Sequence, residues 1–137
     1  MYKNDTPSPF DLFSAALHLG SDGQLRAGPP QVADGDQWQV ANFRVATDAE
    51  VHADHWEVHP AGEEAVCCVS GAFRVYLRAA GPDGADSVVA LRAGEAIVVP
   101  RGVWHRLELE EPSGVMSVGV RRGSQLEQVT ASQKAPS

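Results

Sequence analysis

The chain has 137 residues, 43% hydrophobic and 21% charged, the composition of one globular domain large enough to bury a core of its own. Eighteen acidic residues against eleven basic ones give a formal charge of −7, and no Lys/Arg cluster is longer than Arg121-Arg122. These values argue against nucleic acid and anionic membranes as partners, and no stretch approaches the roughly eighteen apolar residues of a membrane span.

Residues 1–9 read as a loose lead-in with no apolar leader. Phe10, Phe13 and Leu17 recur at helical spacing and Gly20 is a C-terminal stop, so a short helix is expected over Phe10–Leu19. A Gly-, Pro- and Asp-rich connection follows. From Trp38 onward the period becomes two. The expected strands are Trp38–Ala46, Val51–His59, Glu64–Val69, Phe73–Ala79, Ser87–Leu91, Ala96–Val99, Trp104–Leu109 and Val115–Arg121, with a further candidate at Leu126–Thr130. Turn residues punctuate them, notably Pro60-Ala61-Gly62, Ser70-Gly71 and Pro100-Arg101-Gly102. Many short strands at even spacing predict an all-β antiparallel sandwich or barrel. The organisation expected is an N-terminal helix and connection over 1–36, a β-barrel over 37–123 and a C-terminal tail over 124–137.

Cys67 and Cys68 are adjacent, and on a strand they point to opposite faces, which disfavours a mutual disulfide. With no second Cys pair for a zinc ribbon, the thiols read as free ones in a reducing, cytoplasmic setting. Ser70 is read as a turn residue. The sequence contains no nucleophile elbow, P-loop or dinucleotide fingerprint.

The strand Val51–His59 carries His55, Glu57 and His59 at every second residue. A solvated face accounts for these residues as readily as a metal site does, taken alone. Glu64 returns after a three-residue turn, so it is expected opposite His59 on the adjacent strand. His105 shares its strand face with Leu107 and Leu109 and points to the core. Each of these groups needs a partner when buried, and a divalent metal supplies one for all of them.

At these residues the sequence resembles the cupin family. The first motif reads Glu57-x-His59-x4-Glu64-x6-Gly71 and the second Gly94-x5-Pro100-x-Gly102-x2-His105. The resemblance covers roughly residues 40–120. It implies a small jelly-roll β-barrel, assembly as a homodimer, and metal-ligand roles for His59, Glu64 and His105. The first His of the family's paired-His motif is Glu57 here. Either Glu57 completes the ligand set or His55 takes its place; a third reading is a site that has lost metal. Two His and two carboxylates suit Fe, Mn, Ni or Zn. The function implied is a metal-dependent, dioxygenase-like enzyme acting on a small organic molecule. A binding or sensing cupin without catalysis and a structural cupin are the rivals. Trp56, Val58 and Trp104 are expected outside, at a subunit contact. Phe73, Val75, Leu77, Val99 and Leu107 are expected to line an apolar pocket that favours an aromatic or short aliphatic acid.

Overall fold

The computed structural model describes residues 6–30 and 36–130. The described strands are β1 (Ala16–Leu19), β2 (Leu25–Gly28), β3 (Trp38–Val45), β4 (His55–Val58), β5 (Glu64–Ser70), β6 (Ala72–Leu77), β7 (Ser87–Arg92), β8 (Glu95–Val99), β9 (His105–Leu109), β10 (Ser113–Val120) and β11 (Gln125–Gln128). They form two antiparallel sheets, ordered β2-β1-β3-β10-β5-β8 and β11-β4-β9-β6-β7. Val45, Val66, Cys68, Phe73, Val75, Leu91, Val99 and Val115 fill the space between them. β10 shows how alternation sets a face. Its Ser113, Val115 and Ser117 are buried, while Gly114, Met116 and Val118 between them are partly exposed.

The expected closed barrel is an open pair of sheets, each keeping two edge strands. From β3 onward every turn but the β6–β7 hairpin carries the chain to the other sheet. Ser70-Gly71, expected as a hairpin turn, carries the chain from β5 in one sheet to β6 in the other. Gly71 has φ +79°, and a Cβ there would lie 2.3 Å from the Pro112 carbonyl oxygen, so the crossing requires glycine.

The N-terminal helix expected over Phe10–Leu19 is not seen. The Asp11 carboxylate accepts the Phe13 N–H and the Ser14 hydroxyl, both at 2.9 Å, which closes one turn locally and competes with helix propagation. Phe10, Leu12 and Phe13 remain exposed, and the chain enters β1, where Ala16 and His18 are buried at a period of two. β1 then pairs with both β2 and β3. The strand expected from Val51 begins only at His55. Before it, Asp48–Val51 forms a 3₁₀ turn, with Glu50 Oε1 accepting the Ala46 and Thr47 N–H groups at 2.8 and 3.1 Å. His52 then takes a left-handed conformation, φ 51°.

Trp56 and Val58, expected outside, are buried, and Trp104 is partly buried. The Trp56 ring packs with Tyr76 and Val129, and the Arg106 and Arg78 guanidinium groups lie 5.2 and 5.6 Å from it. These residues cover the outward face of the second sheet, so they do not form an exposed contact surface.

Candidate metal centre

Two turns and two sheets build the site. Glu57 lies on β4 and faces His105, the first residue of β9, in register. His59 directly follows β4, and its carbonyl accepts the Gly102 N–H at 3.2 Å, tying the Pro100-Arg101-Gly102 turn to the Pro60-Ala61-Gly62 turn. Glu64 opens β5 in the opposite sheet. It therefore reaches His59 across the interior and not from the adjacent strand as expected. Gly119 of β10 packs beside it, where a Cβ would make ordinary contact with Glu64 Cγ at 3.4 Å.

One ligating atom from each of Glu57, His59, Glu64 and His105 falls within 4.8 Å of the others. Glu64 Oε1 lies 2.9 Å from His105 Nε2, and Glu64 Oε2 lies 3.2 Å from His59 Nε2. Glu57 Oε1 is 3.3 Å from His59 Nε2 and 3.9 Å from His105 Nε2. His59, Glu64 and His105 are buried, and Glu57 is half-buried at the cluster's edge. Both rings are held from behind. His105 Nδ1 donates to the Val103 carbonyl at 3.2 Å, and His59 Nδ1 is 2.7 Å from Ser124 Oγ. Each Nε2 is left facing the carboxylates, the orientation that second partners impose on ligating histidines. Two imidazoles and two carboxylates converging this way fit a divalent transition ion.

The cluster's own electrostatics are strong. Burial disfavours charge on His59, but hydrogen bonds to Glu57 and Glu64 outweigh it and push the ring up to about 9. Burial likewise opposes ionisation of Glu64, yet His105 and His59 hold its carboxyl well below the usual carboxylate range. Glu57 is also lowered; burial works against it, and the His59 hydrogen bond and the Arg121 charge prevail.

His55 does not join the cluster. Its Nδ1 bonds Asp54 Oδ1 at 2.9 Å and its ring meets His52 edge-on, with centroids 6.5 Å apart. Cys68 packs in the core and Cys67 is partly exposed on the other face; both thiols are free. Two participants escaped the sequence reading. Arg121 Nη1 lies 3.5 Å from Glu57 Oε2 and 3.2 Å from His59 Nε2, and its Nη2 lies 3.5 Å from Glu64 Oε2. A signal was present. Arg121 continues the inward parity of Val115, Ser117 and Gly119, and the last two are small enough to admit it. Ser124 gave no such signal, because it lies in a polar stretch with no period.

Above the cluster opens a cavity of about 500 Å³. Phe43, Val45, Val51, Val66, Leu107 and Val115 give it an apolar wall, and Ser117, Arg121 and Ser124 supply polar groups near the carboxylates. Of the residues expected along this wall, Leu107 lines it, while Phe73, Val75 and Val99 lie in the core with Leu77 packed against them.

Two facing antiparallel sheets with His and Glu side chains converging between them define a β-sandwich protein with a metal-competent interior. The chain belongs to the cupin family: the Cupin_2 model, described as a cupin domain, matches residues 43–119. No curated protein matches the sequence. Among solved structures, a cupin-2 domain containing protein from Shewanella frigidimarina NCIMB 400 is 22% identical over 67% of this chain and 76% of its own, with a TM-score of 0.47. Peruvianin-I from Thevetia peruviana latex, described as a cysteine peptidase, is 15% identical over 95% of this chain and 78% of its own, with a TM-score of 0.52. The hydroquinone 1,2-dioxygenase PnpCD, solved with Cd2+ and 4-hydroxybenzonitrile, is 16% identical over 66% of each chain, with a TM-score of 0.46. At these identities the likeness is one of fold.

Proposed function

We propose that this protein is a metal-dependent cupin enzyme that acts on a small organic acid. The observation carrying this reading is the placement of the Glu57, His59, Glu64 and His105 cluster beneath a largely apolar cavity of about 500 Å³. Fe, Mn, Ni or Zn suits the donor set, and such an ion would supply Lewis acidity and, for Fe or Mn, access to O₂ chemistry. The protein's part is to orient and to exclude water. Val103 and Ser124 fix the two imidazoles. The apolar wall desolvates the bound molecule, which strengthens every charge interaction at the cavity floor. Apart from the proposed ligands and His55, the sequence contains no identifiable general base, and that favours oxidative chemistry over proton-transfer isomerisation.

The two free thiols support a cytoplasmic setting. Homodimerisation, implied by the family, would rest on exposed residues such as Val69, Val88 and Val98, and sedimentation at micromolar concentration tests it.

The test of the enzyme reading is metal analysis of untagged protein purified without added metal, followed by anaerobic Fe(II) loading and a screen of small phenolic, thiol and diketone acids for O₂ uptake. One transition ion per chain, lost in a folded His59→Ala, His105→Ala double variant, together with O₂ uptake, is expected. A metal that persists in the double variant lies elsewhere. Tight binding of a cell metabolite with no uptake from any acid would make the protein a binding module.

A further inference from the structure

We infer that Arg121 is a cation held in the metal site that is freed, on metal binding, to anchor the anionic end of the substrate. This rests on the metal-dependent reading above and names the substrate class: a monoanion with an apolar body.

The Arg121 guanidinium touches the cluster at three points. It lies 3.5 Å from one oxygen of Glu57, 3.5 Å from one oxygen of Glu64 and 3.2 Å from His59 Nε2, the same atoms offered to an ion. Its side chain is 15% exposed, so solvent does little to screen it. Its remaining polar contact is Nη2 to Ser117 Oγ at 3.4 Å, on the cavity wall. Arg121 therefore stands where a metal would draw away its carboxylate partners, with a neutral hydroxyl beside it.

The charge inventory gives the consequence. With both imidazoles neutral, as metal ligands are, Glu57 and Glu64 carry two negative charges and Arg121 one positive charge. A divalent ion neutralises the two carboxylates and leaves the guanidinium uncompensated in a largely apolar cavity. Glu50 reaches the cavity wall too, but it is exposed and its Oε1 already accepts the Ala46 and Thr47 N–H groups. A single carboxylate on the substrate restores neutrality, and guanidinium matches carboxylate in charge and in fork geometry. The residues above it, Phe43, Val45, Val51, Val66, Leu107 and Val115, accept an apolar body.

Arg121 competes with metal for the carboxylates, so neutralising it strengthens metal binding. It also binds the anion, so neutralising it weakens anion binding to the metal-loaded protein. The experiment measures Co(II) binding to the full chain by equilibrium dialysis. It then follows the Co(II) absorption spectrum during titration with benzoate, using neutral benzamide as control, in wild type, Arg121→Gln and Arg121→Lys. Arg121→Gln is expected to bind Co(II) at least about tenfold more tightly and benzoate at least about tenfold more weakly. Benzamide should perturb both spectra alike, and Arg121→Lys should recover the benzoate response. Weaker Co(II) binding by Arg121→Gln would show that the arginine orders the ligands instead, and would overturn the inference. Unchanged benzoate binding would also overturn it. Absence of Co(II) binding in every protein would overturn the metal reading itself, a result distinct from either.

Discussion

Replacing Glu64 with Gln keeps the side chain's shape and removes its charge. Three nitrogens surround the Glu64 carboxylate: His105 Nε2 at 2.9 Å, His59 Nε2 at 3.2 Å and Arg121 Nη2 at 3.5 Å. An amide has one oxygen to accept and one NH₂ group to donate. If the oxygen takes His105, the NH₂ group faces His59 and Arg121, donor against donor. His59 can relieve this by releasing its proton, at the cost of the pairing that raised it. A histidine lifted from 6.5 to about 9 contributes about 3 kcal/mol at pH 7, and Glu64 supplies part of that. A buried polar group left without its partner adds about 1–3 kcal/mol. The two contributions overlap, so Glu64→Gln should cost about 3 kcal/mol in metal-free protein, or about 10 °C in Tm. The assay is urea and thermal unfolding at pH 7 in chelator, repeated with saturating Mn(II). Metal should stabilise wild type and leave the variant nearly unchanged, because only wild type keeps the carboxylate. Equal stability in chelator and equal stabilisation by Mn(II) would refute the placement of Glu64 at the centre of the cluster.

The metal-free protein should also show a pH signature. His59 is raised, so its contribution is complete below about 6.5 and is lost as pH rises through about 9, whereas the lowered Glu57 and Glu64 contribute above about 4.5 and lose that below it. Stability in chelator should therefore fall by about 3 kcal/mol between pH 6.5 and 9, and His59→Gln should flatten the curve; urea titrations at each pH decide this. Glu57→Gln should lower metal affinity by roughly tenfold or more while His55→Ala leaves it unchanged, and equilibrium dialysis showing the reverse contrast would return His55 to the ligand set. Gly71→Ala must place a Cβ 2.3 Å from the Pro112 carbonyl at φ +79°. It should cost about 3 kcal/mol or more in thermal unfolding, and a loss under about 1 kcal/mol would mean the crossing yields easily.

Alternation of side chains is a local property, so the sequence alone determined most of the strands and their inward faces, together with the residues that meet at the centre. His59, Glu64 and His105 were legible through the family's motif spacing, in which the turns Pro60-Ala61-Gly62 and Pro100-Arg101-Gly102 set where Glu64 and His105 open their strands, while Glu57 stayed open against His55. Which sheet a strand joins is not local. Ser70-Gly71 looks like any hairpin turn until Pro112 and Ser113, some forty residues on, are seen packed against Gly71. The same holds for Phe10–Leu19, where a helical period is overridden by the Asp11 turn and by pairing of β1 with β3. Trp56 reads as outward-facing, and it is, but Tyr76, Val129 and Arg106 cover that face from other strands and the segment after β11. Only the tertiary structure placed Arg121 against the carboxylates. Its parity marks it as inward-facing, but the partner that makes it functional sits in the turn-to-strand junction at Glu64, fifty-seven residues earlier.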